Sequence, residues 1–474
     1  MPDVDVLIIG SGISGLSAAI AAKQAGAEAV IIAEAANVVG GASRLSTGLV
    51  VGAGTAMQDT AGIQDSPSLM YQDYQNVNQW GLDGGVIRRL AADSGSTVDW
   101  LVSLGVDFHP TPVLGGYESV PRCAVAMGEG QQLIDSLASA ARHLDIDIAL
   151  GRRVDRLLFE EQGVTGAAVG DDEITADSVI IASGGFGSNF EKVAEHYPSV
   201  AAAGDWLWYV GEDGSHGDAI DLGRQVGATI IGHDSGCSML TPGFTRLHET
   251  YLPGWLVIVD PAGQRFIAED SHYSALDRQA VLRGGRFFVI FDAKALDVQV
   301  ASETPFYAGG TRAYPGRPAR TSPNWNPDIL HEMVAANRIP SAPSINELAQ
   351  KVGVPEDQLA ATIEQYNDGA RCGIDGMGKK PEFLRPIDQG PYYAAELRLS
   401  EIVITGTGPK ADSEARVLDS LHHPIPGLFI AGEAAGGQIW PFYPSSGSSL
   451  GLGATFGRIA GVNAARRAAG ENLA

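Results

Sequence analysis

Three glycines and one acid near the start of the chain have the spacing needed to hold a diphosphate and a ribose. Gly10, Gly12 and Gly15 form a G-x-G-x-x-G pattern in GSGISG, and Glu34 follows about 20 residues later. In such a pattern the first glycine permits a tight turn and the second lets the backbone approach a diphosphate. The third lets helix and strand pack closely, and the acid accepts hydrogen bonds from ribose hydroxyls. These residues predict a dinucleotide site.

The segments around these residues predict the strand–turn–helix unit that the pattern requires. Asp3 to Ile9 is a short apolar run rich in β-branched residues, which is typical of a buried parallel strand. Leu16 to Gln24 predicts a small-residue helix, whose N-terminus would face the phosphate charge. Ala29 to Ala33 predicts a second strand that delivers Glu34 to the site.

Two later segments favour FAD over NAD. His423 to Gly437 (HPIPGLFIAGEAAGG) contains a predicted strand, Leu428 to Ala431, that leads to Gly432 and Glu433. This segment resembles the second flavin signature of the glutathione-reductase-like FAD folds, in which the acid meets the ribityl chain. Val179 to Gly187 (VIIASGGFG) resembles the strand and glycine turn that those folds place near the flavin. We therefore predict FAD as the cofactor.

The electron partner is expected to be a separate molecule. The sequence contains no second strand–GxGxxG–helix unit, which indicates that there is no NAD(P)H domain. We therefore expect an external electron acceptor.

Three further segments resemble the fumarate reductase/succinate dehydrogenase flavoprotein superfamily. They are Gly40 to Gly48 (GGASRLSTG), Gly263 to Tyr273 (GQRFIAEDSHY) and Ile425 to Gly461. The resemblance implies an α/β fold, in which a Rossmann-like, glutathione-reductase-like FAD-binding domain is interrupted by an α+β capping domain. The matching boundaries place the FAD-binding domain at 1–233 and 394–474, and the capping, substrate-binding domain at 234–393.

The resemblance also implies how FAD is held. The succinate dehydrogenase branch attaches its flavin through a His in the first of these segments, whereas this sequence has Arg44 and Leu45 there and no His between residues 35 and 55. Non-covalent FAD is therefore expected. The expected cofactor-binding residues are Gly10, Gly12, Ser14, Gly15, Glu34, Ala35, Gly41, Ala42, Ser43, Thr47, Gly48, Val154, Ser183, Gly184, Gly185, Gly432, Glu433, Ser448, Ser449 and Leu450.

The positions that hold a dicarboxylate in fumarate reductases are changed in this sequence. Those enzymes carry an Arg acid four residues after a motif Glu, an Arg in a Glu-x-x-Arg relay, a His and a late Arg. Glu269 and Glu249 match the two glutamates. The four other positions hold Tyr273, Leu252, Ile404 or Thr405, and Pro444. A dicarboxylate would lack partners for its charges there, which argues against fumarate as the substrate.

These positions resemble instead the 3-ketosteroid dehydrogenases, which carry a Tyr four residues after the motif Glu. Tyr273 matches that Tyr, although Ala268 and Asp270 depart from the NES pattern before it. Desaturases of smaller ketones, such as cyclohexanone or 4-oxocyclohexanecarboxylate, look like the same branch, and this chain is short for a steroid dehydrogenase.

A second tyrosine of that branch precedes the glycine-rich turn into the last helix. In FYPSSGSSLGLGATFGR this residue is Tyr443. The Tyr-Pro-Ser-Ser run is closer to the Tyr-x-Ser of the 4-ene-forming enzymes than to the Tyr-Pro-Gly of the 1-ene-forming ones. One inserted residue leaves both Ser445 and Ser446 as candidates for the serine.

Desaturation of a ketone needs a donor for the carbonyl oxygen, a base for the α-proton and an acceptor for the β-hydride. Tyr443 and Tyr273 are the candidate pair for the first two, with Ser445 or Ser446 in a relay, and the sequence leaves open which Tyr has which role. A free phenol, with a pKa of about 10, needs neighbours that favour its phenolate. Further candidates are Tyr117, His216 and His272 for the chemistry, and Arg312 for a substrate carboxylate.

Two other functions stay open at this point. One is a reductase of an activated alkene such as an unsaturated acid, similar to urocanate reductase, although the chain lacks CxxCH haem motifs. The other is a non-catalytic, electron-carrying flavoprotein subunit.

Composition excludes several other classes of protein. The net charge of −24 disfavours nucleic acid and anionic membrane surfaces as partners. The sequence contains no run of about 18 apolar residues, so it predicts no membrane span. The first predicted strand leaves no room for a signal peptide, and the three cysteines show no metal-binding spacing. We expect a cytoplasmic enzyme without a metal.

Overall fold

The computed structural model describes residues 2–250, 252–297 and 322–471. Its strands in chain order are β1 (Val4–Ile9), β2 (Val30–Ala33), β3 (Leu49–Val51), β4 (Cys123–Val125), β5 (Asp147–Ala149), β6 (Arg156–Glu160), β7 (Gly163–Val169), β8 (Asp172–Ile181), β9 (Trp208–Tyr209), β10 (Ile230–Ile231), β11 (Gly236–Thr241), β12 (Val257–Val259), β13 (Arg286–Asp292), β14 (Ser341–Ala342), β15 (Tyr392–Thr405), β16 (Gly408–Pro409), β17 (Arg416–Leu418) and β18 (Pro424–Ile430).

Its α-helices are α1 (Ile13–Gln24), α2 (Ala56–Thr60), α3 (Pro67–Val77), α4 (Gly84–Ser103), α5 (Glu129–His143), α6 (Phe190–His196), α7 (Pro198–Ala201), α8 (Asp218–Gln225), α9 (Tyr273–Arg283), α10 (Pro327–Ala335), α11 (Ile345–Val352), α12 (Glu356–Cys372) and α13 (Ser448–Ala468). Short 3-10 turns lie at Gly41–Leu45, Gly204–Trp206, Ala293–Leu296, Pro323–Trp325, Pro381–Phe383 and Gly432–Ala434. Within these described elements, no helix is both long enough and apolar enough to cross a membrane.

The larger sheet is mainly parallel and carries the predicted dinucleotide unit. Its strand order is β17–β18–β8–β1–β2–β5, with β6 and β7 attached through β8. Strand β1 runs parallel to β2 and β8, and β18 returns from the C-terminal part of the chain to pair in parallel with β8. The carboxyl ends of β1, β2, β8 and β18 therefore meet at one edge, where open α/β sheets bind ligands.

The first helix begins three residues earlier than the sequence indicates, at Ile13, because Gly12 is its N-cap. It packs against α13, where small residues let the two backbones approach. A Cβ on Gly461 would lie 2.1 Å from the carbonyl oxygen of Ala18, and one on Gly457 would lie 2.4 Å from that of Ser14. This close contact ties the C-terminal helix to the first βα unit.

The second sheet has the order β11–β15–β13–β12, and β9 and β14 also pair with β15. One of its faces packs against α11 and α12 through an apolar cluster that includes Phe288, Leu348 and Leu359. The other face covers a separate cluster around Trp325 and Phe291.

The predicted α/β class with a second, α+β region is confirmed by this architecture. The domain boundaries at 233/234 and 393/394 stay a prediction. Strand β15 begins at Tyr392 and continues in the second sheet to Thr405, and β9 joins the same sheet from the other side of the first boundary.

Candidate active site

One cavity of about 330 Å³ lies between the two sheets, a volume typical of small-molecule sites. The first sheet contributes the carboxyl ends of β1, β2 and β8, at Ile9, Ala33 and Ala182. The second sheet contributes residues of β11 and β15, among them Cys237 and Ile404. A ligand in this cavity would contact both sheets.

The glycine turn singled out in the sequence lines the cavity. Gly10 has a φ of +102°, and a Cβ there would lie 2.5 Å from the carbonyl oxygen of Ala182. Gly12 is more open, since the closest atom to its Cβ position is Ser43 Oγ at 3.4 Å. The backbone is therefore exposed to a ligand at the N-terminus of α1, where a phosphate is favoured.

Glu34 follows β2 and is held in one orientation by the same turn. The amide and hydroxyl of Ser11 donate to its Oε2 at 2.8 Å and 2.5 Å, and the amide of Ala36 donates to its Oε1 at 2.7 Å. The carboxylate is buried and lines the cavity, so it is placed to accept hydrogen bonds from ribose hydroxyls.

Glu433 lines the cavity just after β18. Its Oε1 accepts hydrogen bonds from the amide of Thr405 at 2.8 Å and from its hydroxyl at 2.9 Å. Burial raises the pKa of Glu433 to about 7, and the two hydrogen bonds from Thr405 oppose this shift.

Two buried hydroxyls on the cavity wall indicate a ligand with polar atoms. Ser183 Oγ and Ser449 Oγ are buried on its wall and have no hydrogen-bond partner among the residues that the structure describes. Buried polar groups are usually satisfied, so both point to ligand atoms. Together with Glu34, Glu433 and the N-terminus of α1, they fit FAD.

Most of the cofactor residues predicted from sequence lie on this wall. These are Gly10, Gly12, Ser14, Glu34, Ala35, Gly41, Ala42, Ser43, Thr47, Val154, Ser183, Gly184, Glu433, Ser449 and Leu450. Gly15, Gly48, Gly185, Gly432 and Ser448 do not line the cavity.

The residues that do not line the cavity pack behind its wall. A Cβ on Gly15 would lie 1.9 Å from the carbonyl oxygen of Gly10, and one on Gly185 would lie 2.2 Å from Glu433 Oε1. Cβ positions on Gly432 and Gly48 would also fall within 2.5 Å of neighbouring atoms. The hydroxyl of Ser448 is bonded instead to that of Tyr74, at 2.8 Å. These residues shape the site without facing the ligand.

On the cavity wall, the structure brings Tyr273 and Tyr443 together. Their ring centroids are 6.4 Å apart, both side chains are buried and both line the cavity. The hydroxyl of Tyr273 is 3.0 Å from Ser446 Oγ. The amide of Ser449, at the N-terminus of α13, donates to the hydroxyl of Tyr443 at 3.1 Å. Burial raises the pKa of Tyr443, and this hydrogen bond opposes the shift.

Ser445 and Tyr117 lie outside the cavity wall. Ser445 Oγ is 3.2 Å from Ser448 Oγ and is turned toward the buried Glu118. Tyr117 packs edge-on against His272 and Phe442 and is 40% exposed. Of the two candidate serines, Ser446 is therefore the one that meets a tyrosine.

The histidines singled out from sequence are not on the wall. His272 is buried behind Tyr273, with 4.0 Å between the ring centroids, and burial lowers its pKa to about 4. His216 lies in a turn, where its amide donates to the carbonyl of Gly214. Arg312 falls outside the described residues.

The wall instead carries a histidine that the sequence interpretation missed. His248 lines the cavity and its Nδ1 bonds the buried carboxyl of Glu401, which lies far away in the chain. The neighbouring Glu249 is bonded to Asn324 Nδ2 at 3.0 Å, and Leu252 is packed in the apolar core. The sequence signal for His248 is the polar run HET before Leu252. Of this run, only Glu249 matches a position of the family's motifs.

Comparison with known proteins identifies the family to which the chain belongs. The family model described as FAD binding domain matches residues 5–450. The chain belongs to this family of flavoproteins. It is 27% identical over 475 residues to a fumarate reductase (cytochrome) of Shewanella frigidimarina, covering 98% of this chain and 77% of that protein. It is 28% identical over 492 residues to a vinyl phenol reductase of Lactiplantibacillus plantarum, covering 98% and 96%.

The fold of this chain is also similar to that of a 3-ketosteroid dehydrogenase whose crystal structure is known. The 3-ketosteroid-Δ4-(5α)-dehydrogenase of Rhodococcus jostii RHA1, in complex with 4-androstene-3,17-dione, superimposes with a TM-score of 0.77 at 26% identity. The match covers 98% of this chain and 96% of that one. The predicted superfamily and the similarity to 3-ketosteroid dehydrogenases are confirmed.

These findings establish the class of reaction. The flavoprotein is an FAD-dependent oxidoreductase that acts on CH–CH groups, as a desaturase or as a reductase of C=C bonds. Non-covalent attachment of FAD stays a prediction.

Proposed function

We propose that the flavoprotein is a dehydrogenase that introduces a C=C bond α,β to the carbonyl of a cyclic ketone. The substrate would be a 3-ketosteroid or a smaller ketone of the cyclohexanone or 4-oxocyclohexanecarboxylate type. The observation that carries the proposal is the group formed by Tyr273, Tyr443 and Ser446, in which three hydroxyls converge on the cavity wall.

Each hydroxyl has a chemical use in such a reaction. A phenol donor can hold the carbonyl oxygen and stabilise the enolate-like charge that develops on it. The other tyrosine can take the α-proton, and the Tyr273–Ser446 hydrogen bond gives that proton a path. FAD, when bound, accepts the β-hydrogen as a hydride.

The rest of the cavity wall beside these hydroxyls is poor in charge. Cys237, Met239, Val403, Ile404 and Leu450 line it beside the tyrosines. Among the described residues that line the cavity, the arginines are Arg152 and Arg153, and Arg153 is paired with Asp218. This supports a ketone over a dicarboxylate, whose two charges would lack partners here.

Anaerobic bleaching of the flavin tests the proposal. Purified protein would be mixed separately with a 3-oxo-5α-steroid, a 3-oxo-4-ene steroid and 4-oxocyclohexanecarboxylate. Rapid loss of the visible flavin absorbance with one ketone would establish desaturation and the substrate class. Tyr443→Phe should then bleach 10²–10⁴-fold more slowly, roughly the size of a general acid–base contribution. Tyr117→Phe is the matched control, and we expect a much smaller effect.

A reductase is the second candidate, because the similar sequences include fumarate and vinyl phenol reductases. If no ketone bleaches the flavin, the desaturase proposal is wrong. Oxidation of a reduced dye by an unsaturated acid or by a vinyl phenol would then support reduction.

A further inference from the structure

A buried carboxyl on β15 is hydrogen-bonded to a histidine of the cavity wall. Glu401 is completely buried, and its Oε2 has no hydrogen-bond partner in the part of the chain that the structure describes. Its Oε1 bonds His248 Nδ1. Burial raises the pKa of Glu401, and the hydrogen bond from His248 opposes this shift. The imidazole is therefore oriented by a carboxyl that cannot reach water.

The other ring nitrogen of His248 meets a hydroxyl. His248 Nε2 is 2.9 Å from Thr250 Oγ1, and both residues line the cavity. About a third of the His248 side chain is exposed to solvent. The three side chains form a continuous series from buried carboxyl to imidazole to cavity hydroxyl.

A hydroxyl bonded to an imidazole that is itself oriented by a carboxylate is a recurrent arrangement for moving protons. The imidazole can take the hydroxyl proton while that oxygen takes a proton from the ligand. We infer that Thr250 and His248, positioned by Glu401, are a second proton-transfer group of this cavity, which exchanges a proton with the α-carbon of the substrate.

The inference rests on the established reaction class and not on the proposed ketone. In desaturation, the α-proton passes to Thr250 Oγ1 as the hydroxyl proton passes to His248 Nε2, and the C–H electron pair forms the double bond. The β-hydrogen would leave as a hydride, which bound FAD would accept, so that one proton and one hydride leave the substrate. In reduction, the same proton returns from His248 through Thr250 to the α-carbon. With this group as the base, the tyrosine to which the proposed function gives the α-proton would instead hold the carbonyl oxygen. The isotope effects of Tyr443→Phe and Thr250→Val show which of the two takes the proton.

The other acid beside His248 in the chain has a partner of its own. Glu249 is buried next to it in the chain and bonded to Asn324, and burial raises the pKa of Glu249 to about 8.

Paired variants of the FAD-loaded full chain test the inference. Thr250→Val removes the hydroxyl and keeps the shape, whereas Thr250→Ser restores the hydroxyl. His248→Asn keeps a donor toward Glu401 and removes the base. Flavin reduction would be followed by stopped flow with the ketone that bleaches the wild type, unlabelled and deuterated at the α-carbon. If no ketone reacts, oxidation of the reduced flavin by the unsaturated acid would be followed in H₂O and D₂O.

We expect Thr250→Val and His248→Asn to slow the reaction by about 10²-fold or more, and Thr250→Ser to recover most of the rate. The isotope effect should rise in the slow variants, because proton transfer becomes the slower step. A larger isotope effect in Glu401→Gln than in the wild type would show that the carboxylate of Glu401 positions the imidazole. Leu247→Ala, an exposed position on the same loop, is the control with unchanged rate.

The inference would be overturned if Thr250→Val and His248→Asn kept the rates and isotope effects of the wild type. The proposed function would still stand in that case, provided that a ketone bleaches the flavin of the wild type. An independent measurement is the ¹⁵N-histidine spectrum of the holoprotein, in which His248 should show a low-field Nδ1 proton that disappears in Glu401→Gln. Its absence in the wild type would also overturn the inference.

Discussion

At the scale of single residues, the site depends on which hydroxyl each tyrosine meets. Tyr273 is bonded to Ser446 on the cavity wall, while the hydroxyl of Ser445 is turned into a buried network with Ser448 and Glu118. Two adjacent serines thus have different surroundings, although the sequence presents them as equivalent candidates.

This difference predicts unequal effects of two adjacent substitutions. Ser446→Ala should lower kcat by about 10²-fold, because Tyr273 loses its hydrogen-bonded partner for proton transfer. Ser445→Ala should chiefly lower the free energy of unfolding, by about 1 kcal/mol, because it breaks a buried hydrogen bond. Steady-state kinetics and urea denaturation on both variants separate the two effects. Equal losses of kcat would contradict the assignment of Ser446.

At the scale of elements, α9 holds Tyr273 in place from the second sheet. The helix begins at Tyr273, and Asp277 one turn later is buried against β11, where Ser238 Oγ donates to its Oδ1 at 2.6 Å. Burial raises the pKa of Asp277 to about 7, well above the usual range of a carboxyl, and the hydrogen bond from Ser238 opposes this change. The helix is therefore anchored by a carboxyl that is protonated in the folded state below neutral pH.

A raised pKa in the folded state makes stability fall as pH rises. The contribution of Asp277 is fully present below a pH of about 4 and is lost as the pH approaches about 7, above which it changes no further. A rise in this pKa from about 4 to about 7 corresponds to roughly 4 kcal/mol of stability lost over that range. Asp277→Asn should therefore lose less stability between pH 5 and pH 8 than the wild type does.

Urea midpoints at pH 5 and pH 8 measure this effect. Glu161→Gln, at an exposed position, should keep the wild-type dependence on pH. If the midpoints of Asp277→Asn follow the wild type at both pH values, Asp277 is not the titrating anchor.

At the scale of the whole molecule, net charge should govern how electrons leave the flavoprotein. The chain carries 56 acidic and 32 basic residues, which gives a net charge of −24. Such a surface attracts cations over distances that salt screens, with a Debye length of about 10 Å at 0.1 M.

We expect a cationic acceptor, such as phenazine methosulfate, to reoxidise the reduced flavin more slowly as salt is raised. The anionic acceptor ferricyanide should become faster, because salt weakens its repulsion. Reoxidation rates from 10 to 300 mM salt measure both trends, and a neutral quinone serves as the control. The same direction of change for both charged acceptors would show that the approach to the flavin is not governed by net charge.

The amino-acid sequence by itself determined the cofactor unit and its place in the fold. The sequence predicted four parts of this unit: strand β1, the turn from Gly10 to Gly15, helix α1 and Glu34. This was possible because tight turns and close backbone approaches depend on residues a few positions apart. The later segment ending in Glu433 was recognisable for the same reason. These local requirements led to FAD and to the α/β class.

Only the tertiary structure decided which side chains meet at the reacting end. The pairing of β11 with β15 sets Met239 opposite Glu401, with register shifts nearby, and His248 reaches Glu401 from the loop that follows β11. A one-residue change of register would turn such side chains to the other face of the sheet. Contacts between residues far apart in the chain decide the rest of the site. They bring Tyr273 to Ser446, leave Tyr117 outside the cavity and form the series from Glu401 to Thr250.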